Sequence, residues 1–166
     1  MKMSQMTELI KSKIINLEKI EKLFSEEFRF ENTIVFTNGC FDVFHPGHHH
    51  LLTNARKMGD ILVVGLNSDD SVKRLKGPSR PFNKQDMRAF TLASKDYVDF
   101  VILFSEDNPE VLIRAISPDV LVKGGDYKEN EIAGYDFVTS HGGIVTTIPL
   151  LKGYSSTKLI DKNKKD

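Results

Sequence analysis

The feature that most constrains the fold is the stretch at residues 37–48, which reads TNGCFDVFHPGH. It follows a β-branched run at residues 33–36 and precedes a helical pattern at residues 51–58. A strand, a glycine-containing turn and a helix start place backbone N–H groups and the positive end of a helix dipole against a phosphate. Pro46 suits a first helical position, and Gly47 lets a ligand approach the backbone closely. The stretch therefore predicts a nucleotide triphosphate site.

Composition excludes several classes of protein. The 166 residues, 40% of them hydrophobic, suit one domain with a real core. Lys plus Arg and Asp plus Glu both number 23, so there is no basic field to attract nucleic acid. The lone cysteine, Cys40, cannot form an internal disulfide, and no apolar run approaches the roughly 18 residues of a membrane span. We expect a cytoplasmic protein with neither nucleic-acid nor membrane partners.

The N-terminal region carries an amphipathic pattern. Apolar residues recur there at three- and four-residue spacing, which predicts one helix over residues 7–28. Packing against the edge of the domain is the interpretation we favour, and a dimer contact is the alternative. The residues that carry the pattern are Ile10, Ile14, Leu17, Ile20, Phe24 and Phe28.

Five apolar runs alternate with helical segments along the rest of the chain. This alternation predicts right-handed βαβ units and a parallel sheet. The expected fold is α/β, a Rossmann-like three-layer α/β/α architecture with a five-stranded parallel sheet. Asn83 is predicted to cap a helix over residues 84–94. The strands are expected at residues 33–36, 60–66, 98–103, 118–122 and 144–148.

The central stretch also carries a family resemblance. Read as Gly39-x-Phe41-Asp42-x-x-His45-x-Gly47-His48, it resembles the signature of the cytidylyltransferase-like nucleotidyltransferases, a Rossmann-like branch of the HxGH superfamily. The resemblance covers about residues 33–160. We therefore expect a helical extension at residues 1–30 and a nucleotidyltransferase domain at residues 31–166.

Nucleotidyl transfer depends on in-line geometry and on donors or cations around a phosphorus atom that gathers charge. His45 and His48 can supply side-chain donors toward the α-phosphate and the leaving oxygen. In an open parallel sheet, ligands bind beyond the carboxyl ends of the strands, where the polar loops meet. The hydroxyl groups and cations expected around the phosphates there are Ser155, Ser156, Thr157, Lys76, Arg80 and Arg88.

Four segments resemble the adenylyltransferase branch of the bacterial heptose pathway, namely residues 37–42, 75–81, 121–127 and 153–157. This resemblance implies transfer of AMP from ATP to D-glycero-β-D-manno-heptose 1-phosphate, giving ADP-heptose, a lipopolysaccharide core precursor, and pyrophosphate, with Mg²⁺. It also implies a homodimer. Since the chain has no room for a fused sugar kinase, a separate kinase is expected.

The same resemblance assigns roles to individual residues. His45, His48 and Lys76 would be catalytic, while Asp42 and Arg80 would bind the acceptor substrate. No set of protein ligands for a metal is predicted. The nucleotide-binding residues would be Asn38, Gly39, Cys40, Phe41, Gly47, Arg88, Lys123, Gly124, Asp126, Ser155, Ser156 and Thr157.

Other functions stay open at this point. The nearest alternative is a cytidylyltransferase acting on glycerol 3-phosphate or a similar alcohol phosphate. Those relatives usually carry an arginine where this chain has Leu150, which favours the heptose branch. A dinucleotide-binding oxidoreductase is disfavoured, because the first turn is not Gly-x-Gly-x-x-Gly. A non-catalytic nucleotide-binding module, or a structural metal held by the two histidines, is a further alternative.

Overall fold

The computed structural model describes residues 2–151 together with Gly153 and Tyr154. Within this part the chain forms five strands, eight α-helices and a 3₁₀ turn at Glu129–Glu131. The strands are β1 (Ile34–Gly39), β2 (Ile61–Asn67), β3 (Phe100–Phe104), β4 (Val120–Gly124) and β5 (Ile144–Ile148). The helices are α1 (Met3–Ser12), α2 (Leu17–Leu23), α3 (Glu26–Glu31), α4 (Pro46–Arg56), α5 (Asp69–Lys76), α6 (Gln85–Ala93), α7 (Glu110–Ile116) and α8 (Tyr135–Ser140).

The five described strands form one parallel sheet in the order β3-β2-β1-β4-β5. From β1 the chain adds β2 and then β3 on one side of the sheet, and afterwards β4 and β5 on the other side. The strand order reverses between β1 and β4, and that switch point is where open α/β sheets bind ligands. The predicted α/β class and the five-stranded parallel sheet are confirmed.

Hydrophobic clusters cover both faces of the sheet. Along β1 the side chains alternate, so Val35 lies in one cluster while Ile34 and Phe36 lie in the other. The first cluster includes residues of α4 and α6, and the second includes residues of α2, α7 and α8. This arrangement is the three-layer α/β/α architecture predicted from the sequence. None of the helices in the described part is long and apolar enough to cross a membrane.

The N-terminal region is helical, but the prediction of one helix over residues 7–28 is wrong. The structure has three short helices there, α1, α2 and α3. Between α1 and α2 the backbone pairs with the edge of the sheet: Ile15 N–H donates to the Val101 carbonyl, and Val101 N–H donates to the Lys13 carbonyl. Asn16 and Ser25 then cap α2 and α3 with their side chains. A long-range strand contact and two local caps thus override the helical pattern.

Two further differences are local. Strand β1 runs on to Gly39 rather than ending at residue 36, which carries the strand to the start of the site. Asn83 does not cap α6, because Lys84 occupies the N-cap position without a side-chain cap. The Asn83 amide instead donates to the main-chain carbonyl of Asp42 at 2.6 Å. That bond ties the loop before α6 to the loop after β1.

Candidate active site

A cavity of about 460 Å³ opens at the carboxyl ends of β1, β2 and β4, next to the switch point of the sheet. Backbone and side chains of the loop after β1 form its centre, and it also reaches the loop after β3. The lining residues are Asn38, Gly39, Cys40, Phe41, His48, Leu51, Asn67, Leu75, Lys76, Asp107, Asn108, Pro109, Lys123, Gly124, Tyr127 and Leu150.

His45 is the N-cap of α4, and its ring makes the cap. Its Nδ1 accepts hydrogen bonds from the backbone N–H groups of Gly47 and His48, at 3.1 and 3.4 Å. A neutral imidazole carries its proton on the nitrogen that is not accepting, so Nε2–H is the free donor of His45. Burial lowers the pKa of His45, and the positive charge of Lys76 lowers it further. The ring is thus held neutral with a fixed tautomer.

His48 lies on the first turn of α4, against the cavity. Its ring stacks on that of His45 with a centroid separation of 3.7 Å and an interplanar angle of 18°. Burial, together with smaller effects of His45 and Lys76, lowers the pKa of His48 to about 3. His48 lines the cavity, and its Nδ1 atom is buried and has no hydrogen-bond partner among the described residues. Two neutral imidazoles therefore stand at the helix start.

Two lysines bring positive charge to opposite sides of the cavity. Lys76 ends α5 and is solvent-exposed, as a flexible cation above the site would be. Lys123 lies near the carboxyl end of β4 on the other side. Burial lowers the pKa of its ammonium group, and the nearby Cys40 partly offsets this lowering. A cation that is partly stripped of water interacts strongly with an anionic ligand. Both lysines line the cavity, and the catalytic role of Lys76 and the nucleotide-binding role of Lys123 stay predictions.

The loop after β1 requires unusual backbone geometry. Phe41 is buried and adopts φ of 44°, the left-handed region that non-glycine residues seldom occupy. A Cβ atom at Gly47 would lie 2.9 Å from Cε1 of His45, so glycine is required for the ring to cap the helix. At Gly39 an added Cβ would lie 3.1 Å from the Phe41 ring. The two motif glycines thus allow close packing around the histidine pair.

Asp42 is not free to bind the acceptor, and that prediction is corrected. Its carboxylate is completely buried and accepts hydrogen bonds from the N–H groups of Phe82 and Asn83. It also forms an ion pair with Arg80, Nε to Oδ2 at 2.6 Å. Burial alone would raise the pKa of this carboxyl, but the hydrogen bonds and Arg80 outweigh burial and lower it. Asp42 therefore fixes the loop that carries Arg80, which keeps a buried Nη2 without a partner among the described residues.

Arg88 is likewise a structural residue rather than a phosphate clamp. Its side chain is 1% exposed, and it does not line the cavity. The guanidinium donates to the carbonyls of Asn83, Cys40 and Asn67 and pairs with Asp69 at 2.9 Å. These bonds link the loops after β1 and β2, so Arg88 holds the two loops in place without lining the cavity itself. The prediction of direct nucleotide binding by Arg88 is corrected accordingly.

The remaining predictions fall into two groups. Gly124 lines the cavity, while Asp126 is exposed and is not among the lining residues; Tyr127 takes that place. Ser155, Ser156 and Thr157, with the helix expected after them, lie outside the described residues. Just before them, Tyr154 stacks toward His45 at a centroid distance of 6.5 Å.

Sequence reasoning missed the contribution of the loop after β3. Asp107, Asn108 and Pro109 line the cavity, although none of them was among the predicted site residues. Asn67, at the end of β2, was also passed over. The signal was available, because polar residues directly after parallel strands meet at one edge. Asp107 also pairs with Arg74 at 2.8 Å, which orients its carboxylate.

No group of three or more His, Cys, Asp or Glu side chains that could hold a metal ion occurs in the described part of the chain. The His45 ring uses Nδ1 for the helix cap, as described above. The structure therefore gives no support to a structural metal bound between His45 and His48. The alternative raised by their spacing is not favoured.

Comparisons with known proteins identify the family of the chain. The family model described as cytidylyltransferase-like matches residues 36–162. The bifunctional protein HldE of Trichlorobacter lovleyi is 48% identical over 151 residues, covering 91% of this chain and 31% of that protein. The HldE of Haemophilus influenzae is 55% identical over 131 residues, covering 79% and 28%. The chain thus spans less than a third of these relatives' length.

A solved structure is similar over nearly its whole length. The crystal structure of a lipopolysaccharide core biosynthesis protein from Thermoplasma volcanium superposes with a TM-score of 0.60 at 28% sequence identity. The match covers 75% of this chain and 99% of that one. With the parallel sheet, the histidine pair and the matching family model together, the chain belongs to the cytidylyltransferase-like family of nucleotidyltransferases.

Proposed function

We propose that this protein transfers AMP from ATP to D-glycero-β-D-manno-heptose 1-phosphate, giving ADP-heptose and pyrophosphate. The observation that carries the proposal is the stacked pair of neutral histidines at the start of α4, beside a cavity at the switch point of the sheet. The adenylyltransferase branch is supported by the motif resemblance and by 48–55% identity to HldE proteins.

The cavity has two halves with different chemistry. Over β1 and β4 it presents Gly124, Lys123, Tyr127 and Leu150, with backbone that a flat base and a triphosphate can approach. Over β2 and β3 it presents Lys76 with Asn67, Asp107 and Asn108. A cation beside amide and carboxylate oxygens suits a phosphate attached to a polyol. We assign the first half to ATP and the second to the sugar phosphate.

The reaction follows from that arrangement. An oxygen of the sugar phosphate attacks the α-phosphorus of ATP in line, one P–O bond forms, and the bond from the α-phosphorus to the bridging oxygen breaks as pyrophosphate leaves. The Nε2–H groups of His45 and His48 donate to oxygens that gather charge. Neutral donors lose no proton in this role. Lys76 and Lys123 balance the negative charge of the two substrates on either side.

Leu150 supports ATP over CTP. Its side chain lines the nucleotide half of the cavity close to the backbone of Gly124. An aliphatic side chain carries no donor for a pyrimidine carbonyl, whereas an apolar wall suits a purine. A cytidylyltransferase acting on glycerol 3-phosphate is the second candidate function.

Mg²⁺ is proposed as part of the substrate. Since the described residues offer no cluster of metal ligands, the ion would enter as Mg·ATP on the triphosphate oxygens. A separate sugar kinase that supplies the sugar 1-phosphate, and a homodimer, stay predictions from the family resemblance.

The deciding measurement is pyrophosphate release with Mg²⁺. ATP, CTP, GTP and UTP are each tested against heptose 1-phosphate and glycerol 3-phosphate, with each nucleotide alone as a control for hydrolysis. Release with ATP and the heptose phosphate alone supports the proposal. Release with CTP and glycerol phosphate would keep the mechanism and replace the substrates. No release with any pair would reject nucleotidyl transfer to these acceptors.

A further inference from the structure

Besides Nη2 of Arg80, two buried polar side-chain atoms have no hydrogen-bond partner among the described residues. They are the hydroxyl of Thr37, on a residue with 0% exposure in β1, and Nδ1 of His48. Buried polar groups in folded proteins are nearly always paired, either with protein or with an ordered water. The two atoms therefore need an explanation.

Both atoms lie in the same layer of the molecule. Thr37 is in register with Val64 on β2 and Val122 on β4. Those two valines belong to the cluster that also contains Leu51 and Leu52 of α4. Because registered neighbours in a sheet point to the same face, the Thr37 side chain is directed toward α4.

His48 is on the same face of α4. It precedes Leu51 by three residues, a spacing that places two side chains on one side of a helix. Gly39 lies two residues beyond Thr37 and so shares its face, and a Cβ atom added to Gly39 would lie 3.1 Å from the Phe41 ring. That ring is 5.0 Å from the His48 ring, centroid to centroid. The Thr37 hydroxyl and the His48 imidazole thus lie on the same side of the sheet, in the layer between β1 and α4.

Their chemistry is complementary. A threonine hydroxyl has one O–H donor, and a neutral imidazole has one accepting nitrogen and one N–H. If Nδ1 accepts a hydrogen bond from a water that Thr37 holds, the proton of His48 must be on Nε2. His45 is held in that same tautomer by the backbone N–H groups that bind its Nδ1. The two histidines would then present matching N–H donors.

We propose that Thr37 is a positioning residue whose hydroxyl holds one buried water, and that this water donates a hydrogen bond to Nδ1 of His48. Thr37 thereby holds His48 in the Nε2–H tautomer and fixes its ring. The tautomer itself does not depend on the proposed function, but its use as a donor to the α-phosphate rests on it.

The test compares Thr37→Val, which removes the hydroxyl at nearly constant shape, with Thr37→Ser, which keeps the hydroxyl. Thr146→Val is the matched control, since Thr146 is in register with Val122 and so lies on the same face two strands away. Imidazole ¹⁵N NMR at neutral pH reads the tautomer, with the His48 signals assigned by their loss in His48→Asn. Pyrophosphate release gives kcat and the KM for ATP.

We expect His48 in the wild type, in Thr37→Ser and in Thr146→Val to show the Nε2–H tautomer. Thr37→Val should gain a measurable Nδ1–H fraction and lose about tenfold in kcat with little change in KM, the scale of one hydrogen bond. An unchanged tautomer in Thr37→Val would overturn the proposal. If no acceptor supports turnover, the NMR result still decides whether Thr37 fixes the His48 tautomer. Failure of this proposal and failure of the proposed function are therefore distinguishable.

Discussion

At the scale of single residues, the site depends on imidazoles that stay uncharged. The His48 ring is stacked on the His45 ring at 3.7 Å and lies near Lys76. Both neighbours disfavour a positive charge on His48 and so lower its pKa. Neutral N–H donors fixed in place are suited to stabilise charge that develops on phosphate oxygens, because they need no reorganisation during the reaction.

His48→Ala should therefore separate catalysis from folding. We expect kcat to fall by roughly 10²–10³, the usual cost of removing one preorganised donor. The melting temperature should change little, because His48 is only half-buried at the edge of the cavity. Pyrophosphate release and a thermal melt measure the two effects, and His141→Ala, at an exposed histidine after α8, is the control. A folded His48→Ala enzyme with normal turnover would exclude the catalytic role.

The same histidine should make stability depend on pH. Its pKa is about 3 in the folded protein, whereas an unfolded histidine titrates near 6.5. Between these values the unfolded chain binds more protons, so stability is fully present above about pH 6.5 and is lost as the pH falls toward about 3. His48→Asn should flatten this loss by up to about 1.4 kcal/mol per pH unit. Urea unfolding at several pH values measures it, and equal slopes in both proteins would contradict the prediction.

Asp107 should contribute to acceptor binding. Asp107 lines the half of the cavity that we assign to the sugar phosphate, and its carboxylate pairs with Arg74. Asp107→Asn keeps the shape and removes the charge, so we expect the KM for the sugar phosphate to rise by up to about tenfold, the scale of one charge-assisted hydrogen bond. The KM for ATP should stay constant. Steady-state kinetics with each substrate varied in turn measure the two KM values separately. A change confined to the KM for ATP would assign Asp107 to the nucleotide.

At the scale of elements, the loops that form the site are held by buried charges. Asp42 and Arg80 join the loop after β1 to the loop before α6, and Arg88 joins the loops after β1 and β2. Residues that looked like ligands in the sequence thus position the ligand-binding loops instead.

Asp42→Ala should destabilise the fold, because it leaves Arg80, 11% exposed, as a buried cation without its carboxylate. Removing one partner of a buried ion pair costs about 3–5 kcal/mol. Glu110→Ala is the control: it breaks the exposed pair with Arg114, and such a helix pair contributes less than about 0.5 kcal/mol. Chemical denaturation of both variants gives the comparison, and equal losses would show that the Asp42 pair is not a buried anchor.

These elements also show what the sequence could and could not reveal. Short apolar or β-branched runs predicted all five strands. The pattern is plainest at residues 60–66, because a strand that is covered on both faces has no polar face to interrupt the apolar run. The helix break at residues 13–16 was missed, since pairing with Val101 is a long-range contact that the amphipathic pattern does not record. Asp42 and Arg88 were misassigned for a related reason: a charged residue type does not reveal whether its partners are protein or ligand.

At the scale of the whole molecule, the N-terminal extension is integrated with the sheet. Strand β3 would otherwise be an open edge, and exposed edges invite pairing with other chains. Backbone bonds at Lys13 and Ile15 cover part of it, and the Lys13 ammonium donates to the carbonyls of Lys95 and Val98. The hydrophobic cluster that contains Ile15, Ile20 and Phe24 thus continues across the predicted boundary near residue 30 into the rest of the molecule.

Ile20→Ala tests that continuity. Ile20 is in α2, has 0% exposure and packs in the cluster formed with α7 and one face of the sheet. Truncation of a buried isoleucine costs about 2–5 kcal/mol, and if the extension shares the core, this cost should lower the stability of the whole protein in one cooperative transition. Leu9→Ala, at a residue of α1 that is 55% exposed, should cost less than about 0.5 kcal/mol.

Urea unfolding followed by circular dichroism and by amide hydrogen exchange measures both variants. In Ile20→Ala, exchange from α2 and from β1 should accelerate together, since both depend on the same global unfolding. Acceleration confined to residues before 31, with a second transition at lower urea, would instead mean that the extension unfolds by itself. In that case residues 1–30 would form a separable element, and its packing on α7 would be a docking contact rather than part of the core.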